Sequence, residues 1–316
     1  MATITESKTL PLVAEPSTRT GGTVETTINY HPPGMDGTLN TVIPGTAGSY
    51  RRKFDIAPVT IKDIRGQEDQ FSLAEQGFQL LKHTSKEKEF MDKDQIKNTA
   101  FPEVVELLKK TTGATDVRIF SHIVRRTPWE SITKEIEEKQ IPDDSRVGKI
   151  GPAHFAHIDQ GPLGAKQLFD ETLNAEEAER FSKSRWGIIN VWRPIKPVRR
   201  NPLALCDMRS VPDEDLIPVY TRAPRDYGSY TADKMAKSYQ SLTAKASPSH
   251  SWHYASGMTP DEVLMLQIFD TNKAADGSSR RTLHSAFAHP NDEALEPRES
   301  IEVRSLVFWE NEPIEA

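Results

Sequence analysis

His157 and Asp159 stand two residues apart in the run Gly151-Pro152-Ala153-His154-Phe155-Ala156-His157-Ile158-Asp159-Gln160-Gly161. In an extended strand, residues i and i+2 point to one face, so an imidazole and a carboxylate would reach the same point in space. That is two thirds of a facial triad. The third candidate ligand is His284, far downstream in Arg280-Arg281-Thr282-Leu283-His284-Ser285-Ala286-Phe287. Two imidazoles and a carboxylate with open positions opposite them make the usual site for non-haem Fe(II) in oxygen chemistry. The chain has nine His. With Asp at an ordinary frequency, chance alone supplies roughly half of one His-x-Asp pair. The flanking glycines, the aromatic after His284 and the arginine-bearing strand beyond it single this pair out. His154 would compete as a ligand only in a helix. The glycines favour a strand, which leaves His154 as a core or supporting residue.

The composition is that of an ordinary soluble globular protein. It has 316 residues, 36% hydrophobic and 27% charged, with 40 Lys+Arg against 46 Asp+Glu for a net charge of −6. No basic run of the nucleic-acid-binding kind occurs, and no apolar run approaches the length of a membrane span. The N-terminus lacks the basic start and apolar block of a secretory signal. One cysteine, Cys206, excludes an internal disulfide and any multi-Cys metal site. A reducing, cytoplasmic setting is expected, with Cys206 an inert thiol.

Residues 1–21 read as a mobile tail and 22–316 as one domain. Gly22 to Tyr30 has strand alternation. The turn-rich stretch after it includes Tyr50-Arg51-Arg52-Lys53, expected to be a solvated loop. Helices are expected near 60–113: one carrying Leu73, Phe78, Leu80 and Leu81 and ending near His83, another opened by Pro102 and closed by Gly113. Asp116 onward alternates as a strand, and residues 130–149 read as charged loop. Asn174 with Glu177 signals a helix start. Trp186 to Ile195 is an apolar strand interrupted by Asn190 and Arg193, which invite polar partners. Pro202 to Ser210 and Val219 to Pro224 read as irregular, and His250 to Tyr254 as a short strand. Val263 to Phe269 is a buried strand after a turn, and Ser300 to Trp309 is the last strand. Many strands with few helices and no regular β-α alternation give a mainly β fold, a sandwich or barrel with helical additions.

Taken in order, His157-x-Asp159, Asn190-Val191-Trp192-Arg193-Pro194, Thr259-Pro260-Asp261-Glu262-Val263, His284-Ser285-Ala286-Phe287 and Arg298-Glu299-Ser300-Ile301-Glu302-Val303-Arg304 are distinctive. The set resembles a fungal hydroxylase/desaturase family of Fe(II)/2-oxoglutarate-dependent oxygenases, the family of AsaB-like proteins and the fungal gibberellin desaturase. The resemblance spans roughly residues 20 to 312. It implies a double-stranded β-helix (jelly-roll, cupin-like) core. It also implies Fe(II) on His157, Asp159 and His284, with 2-oxoglutarate and O2 as cosubstrates. The substrate would be a small natural product or amino-acid-like molecule of secondary metabolism. An Arg-x-Ser pair about a dozen residues past the distal His is the common cosubstrate anchor, which favours Arg298 with Ser300. Arg304 shares their strand parity and comes second, and Arg193 is a further buried cation. An ion pair of these arginines with Glu302 is the structural alternative. Trp192, Trp252, Tyr254 and Phe308 are candidates to line the substrate pocket, against the alternative that they are plain core. Two other readings remain: a catalytically degenerate β-helix that binds a ligand without redox chemistry, and a zinc hydrolase. The second is disfavoured because no His-Glu-x-x-His general base is present.

Overall fold

The computed structural model describes residues 22–35, 41–42, 44–222, 238–275, 277–290 and 292–315, so the expected tail lies outside the described residues. The strands are β1 (Thr23–Tyr30), β2 (Thr41–Val42), β3 (Asp55–Asp63), β4 (Phe78–Lys82), β5 (Asp116–Arg125), β6 (His157–Ile158) and β7 (Arg185–Pro194). They continue with β8 (Leu203–Cys206), β9 (Leu216–Arg222), β10 (Ser238–Ala244), β11 (Trp252–Tyr254), β12 (Glu262–Asp270), β13 (His284–Ala286) and β14 (Ser300–Trp309). Helices are α1 (Ala47–Tyr50), α2 (Lys93–Gln95), α3 (Phe101–Thr112), α4 (Trp129–Glu138), α5 (Pro162–Thr172) and α6 (Ala175–Phe181). One sheet runs β1-β3-β11-β8-β13-β6-β10-β9-β2 and the other β4-β12-β7-β14-β5. From β5 to β8, and again from β11 to β14, the chain alternates between the two sheets strand by strand. That winding is the double-stranded β-helix.

The alternation of β14 shows why the sheets pack this way. Leu306 and Phe308 enter the core between the sheets. Ile301, Val303, Val307 and Trp309 form a second core on the other face, under Val104, Leu107 and Leu108 of α3. The central strands of the smaller sheet are therefore covered on both faces, which explains their near-continuous apolar sequences. Ser300, Glu302 and Arg304 share the parity of Leu306 and Phe308 and face the other sheet. Pairing with β7 is unbroken from Ser300↔Pro194 to Trp309↔Arg185.

Several expectations needed correction. Phe78, Leu80 and Leu81 belong to an edge strand, β4, paired antiparallel with β12. Phe78 and Leu80 are buried two apart, a strand period that the neighbouring polar residues disguised as a helix. His83 follows a strand, not a helix. Residues 130–149 are not all loop: α4 forms because Ile132 and Ile136, four apart, bury on one face. Pro202 to Ser210 contains β8, and Leu216–Arg222 is the strand β9; the part of Val219 to Pro224 beyond 222 lies outside the described residues. Near the metal-site run the regular strand is only β6, and α5 follows at once with Pro162 in its first turn. The α3 boundaries and the Asn174–Glu177 capping box are as expected, with Gly113 at φ 71°.

Helix α5 sits tightly on β10. A Cβ at Gly164 would stand 2.1 Å from the Gln240 carbonyl oxygen, a backbone atom that cannot rotate away. Gly164→Ala should therefore destabilise the fold, although alanine is the better helix former by about 1 kcal/mol. Overpacking of roughly 1–3 kcal/mol outweighs that gain. A urea midpoint equal to or above the parent's would refute the close approach.

Candidate metal and cosubstrate site

The site is built where β6 meets β13. His157 and His284 face each other across that ladder, their ring centroids 4.3 Å apart. Ile158 turns into the core while His157 and Asp159, on either side of it, turn the other way. One donor atom from each of His157, Asp159 and His284 lies within 4.8 Å of the others. Sequence and fold thus bring the three expected ligands to one point.

Both rings are tethered through Nδ1. His157 Nδ1 is 2.8 Å from the Phe155 carbonyl oxygen and His284 Nδ1 is 3.0 Å from that of Thr282. A carbonyl only accepts, so each Nδ1–H donates and each Nε2 keeps its lone pair. His284 Nε2 is buried without a hydrogen-bond partner among the described residues. Such an orphaned acceptor is what a metal ion satisfies. Burial, helped by the neighbouring His284, pushes His157 down to about 3, so it is neutral at physiological pH. Burial alone would raise Asp159, but its charged neighbours, Arg304 foremost, outweigh it and hold the carboxyl below the ordinary carboxylate range. The Asp159 Oδ2 accepts from Asn190 Nδ2 at 2.7 Å and pairs with Arg304 Nη2 at 3.1 Å. Its Oδ1, 3.7 Å from His157 Nε2, is turned toward the imidazoles. Asn190 thus finds the polar partner its place in an apolar strand demanded. The residues present suit a divalent ion of borderline hardness, with nitrogen and carboxylate donors on one side only.

The arginines separate by what they touch. Arg304 pairs with Glu302 at 2.6 Å as well as with Asp159, so the anticipated ion pair exists but includes only one of the two arginines. Arg298 is buried, with no carboxylate within 4.0 Å among the described residues. Its Nη1 donates to the Asn201 carbonyl at 2.7 Å, and its guanidinium lies 5.3 Å from the Trp192 ring centroid. Burial, reinforced by Arg125, pushes it down to about 9. The Arg298 Nε, Ser300 Oγ and His154 Nε2 atoms are all buried without partners. Ser300 lies directly across the ladder from Arg125, and Arg125 lines the cavity that reaches His157 and Asp159. Arg193 does not belong to this group. Its parity on β7 is that of Ile189 and Val191, which face the outer core, and it donates to the His83 and Pro260 carbonyls there.

A cavity of about 240 Å³ opens onto His157, Asp159 and Arg304. Its apolar wall is Tyr50, Trp129, Phe155, Leu168, Val219 and Tyr239. Asp159 is the only carboxylate among its described lining residues, which leaves no free general base for a hydrolase. The four aromatic residues expected there do not line it. Trp252 donates its indole N–H to Tyr30 at 2.8 Å, Tyr254 packs edge-on against Phe287, and Phe308 stacks on Phe181. Trp192 packs under Arg298 instead. All four sit in the core between the sheets. The aromatic residues that do face the cavity come from α1, the start of α4, the run before β6 and β10. The Ile132/Ile136 spacing could have revealed α4, and with it Trp129.

The comparisons with known proteins agree with this architecture. A family profile described as "Oxidoreductase/YMDC permease-like domain" matches residues 28–308. The chain is 45% identical over 296 residues to the hydroxylase/desaturase efuI of Hormonema carpetanum, covering 92% of this chain and 96% of that one. It is 34% identical to the alpha-ketoglutarate-dependent dioxygenase phiK of a fungal species, covering 91% and 97%. Among solved structures, the iron and alpha-ketoglutarate-dependent endoperoxidase NvfI superposes with a TM-score of 0.70 at 27% identity, over 92% of this chain and 99% of that one. The chain belongs to the fungal hydroxylase/desaturase family of Fe(II)/2-oxoglutarate-dependent oxygenases.

Proposed function

We propose that His157, Asp159 and His284 hold Fe(II), that Arg298 with Ser300 anchors the far carboxylate of 2-oxoglutarate, and that the substrate is a small natural product of fungal secondary metabolism. The observation that carries the reading is the pair of imidazoles, each tethered through Nδ1, with His284 Nε2 left without a protein partner. When bound, Fe(II) with 2-oxoglutarate and O2 supplies a two-electron oxidation at a substrate C–H bond, releasing succinate and CO2. The chain's own residues orient and enclose. Arg304 and Asn190 fix Asp159 so that one oxygen stays free to bind. Arg298 offers its unmet Nε–H to an incoming carboxylate. Tyr50, Trp129 and Phe155 form a dry wall that excludes water from the reacting carbon.

Residues 22–316 would act as one catalytic domain. Its one buried thiol, Cys206, suits a cytosolic setting. Among the described residues no helix is long and apolar enough to cross a membrane. A degenerate binding protein would have no use for two tethered imidazoles converging on a carboxylate. The test is anaerobic reconstitution with Fe(II), followed by admission of O2 with and without 2-oxoglutarate. Succinate released only when both metal and 2-oxoglutarate are present is expected, and its absence at saturating metal would sink the reading.

A further inference from the structure

Arg52 sits in the segment between α1 and β3, which the sequence suggested was a solvated loop. Its neighbour behaves that way: Arg51 lies on the outside and donates to Glu137, Asp143 and the Ile141 carbonyl. Arg52 is different. It is half-buried and lines the cavity. Its guanidinium lies 5.3 Å from the Phe54 ring centroid and 5.1 Å from that of Phe155. Those two rings stack on each other at 5.7 Å, and Phe155 packs against His157 at 4.7 Å. No hydrogen bond from Arg52 and no carboxylate within 4.0 Å of it occurs among the described residues.

We infer that Arg52 binds an acidic group, a carboxylate, on the organic substrate, and holds the apolar body of that molecule across Phe155 toward His157. This rests on the oxygenase reading only in calling the ligand a substrate. The charge pattern of the cavity supports it. Of the other arginines that line the cavity, Arg304 is already matched by Asp159 and Glu302, and Arg125 donates to the Gly151 carbonyl at 2.7 Å. That leaves Arg52 as a cation at the outer wall with its donors unmet. Proximity to the Phe54 and Phe155 rings explains why the guanidinium stays in place, through cation–π attraction. It does not explain why a fork of five donors should meet no acceptor when Arg51 beside it meets three. Burial pushes Arg52 down to about 10, so it stays a cation at neutral pH. A guanidinium held beside these rings at the cavity wall still offers a planar fork, which suits two parallel bonds to one carboxylate. The ligand class is an acid with an apolar, ring-sized body that fits against Tyr50, Trp129 and Phe155.

The test uses 2-naphthoate and its methyl ester, which differ in charge and hardly in shape. Calorimetric titration is done anaerobically on the Fe(II)-loaded protein, with and without saturating 2-oxoglutarate. The parent should bind the acid about ten- to a hundredfold more tightly than the ester, the range for a charge-assisted bond. Arg52→Gln should bring the acid down to the level of the ester and leave both ester and 2-oxoglutarate binding unchanged. Arg52→Lys should keep part of the preference. Equal binding of acid and ester by the parent would overturn the inference. So would an acid preference that survives Arg52→Gln but disappears in Arg298→Ala, or a change confined to 2-oxoglutarate. A protein that binds no 2-oxoglutarate but keeps the Arg52-dependent preference would support this inference while failing the cosubstrate assignment.

Discussion

His284→Ala should lose more than about a hundredfold in Fe(II) affinity and release no 2-oxoglutarate-dependent succinate above background. Removing a residue that merely supports a metal ligand already lowers affinity about 10- to 100-fold, so removing one of three ligands should exceed that. The fold should survive. β13 keeps its backbone pairing to β6 and β8, which does not involve the ring. Two effects on the metal-free protein oppose each other. The variant discards a buried Nε2 with no partner, a feature that typically costs about 1–3 kcal/mol. It also opens a void, which costs about 24 cal/mol per Å³ left empty. They nearly cancel, so apo stability should stay close to the parent's while metal-induced stabilisation disappears. Thermal unfolding with and without Fe(II) under nitrogen separates the two. A His284→Ala protein that is still stabilised by Fe(II) like the parent would remove that residue from the site. His157→Ala should behave alike, because its Nδ1 is tethered in the same way.

The convergence of the three candidate ligands was legible because they carry their geometry in local sequence: a two-residue spacing in extended chain, then a histidine on a short strand. The long apolar strands were legible for the same reason, and β14 begins and ends where its alternation does. What the sequence hid depends on contacts between distant segments. Phe78 and Leu80 read as helix until β12 is there to pair with β4. Arg298 and Arg304 have one parity and looked interchangeable. They differ because Asp159, reaching over from the other sheet, meets Arg304 and not Arg298. The aromatic residues misled most. Trp192, Trp252, Tyr254 and Phe308 lie on strands whose inner faces meet, so they fill the core. Tyr50, Trp129 and Phe155 lie outside the strands, where side chains can face a cavity, and Tyr239 reaches it from β10. Arg52 was hidden because its basic neighbours made the whole run look like solvated surface.

The different surroundings of Arg298, just before β14, and Arg304, within it, also make the cosubstrate assignment separable. Arg298→Ala should weaken 2-oxoglutarate binding by about two to three and a half powers of ten. The basis is the roughly 3–5 kcal/mol lost when one partner of a buried ion pair is removed, at about 1.4 kcal/mol per tenfold. Fe(II) affinity should hardly change, since Arg298 makes no contact with a candidate ligand among the described residues. Arg298→Lys should rescue poorly, because a point charge cannot reproduce the two parallel bonds of the guanidinium fork. Arg304→Ala should give the opposite pattern. Without it Asp159 keeps only Asn190, so metal affinity should fall about 10- to 100-fold. Its 2-oxoglutarate binding should recover once Fe(II) is raised to saturation. Glu302→Gln loosens the Arg304 pair at 2.6 Å and should follow Arg304→Ala in direction, not Arg298→Ala. Titrating 2-oxoglutarate at saturating Fe(II) under nitrogen reads all four variants on one scale. If Arg304→Ala stays weak there while Arg298→Ala binds like the parent, the cosubstrate carboxylate belongs to Arg304. The orphaned Nε of Arg298 would then mark some other acceptor.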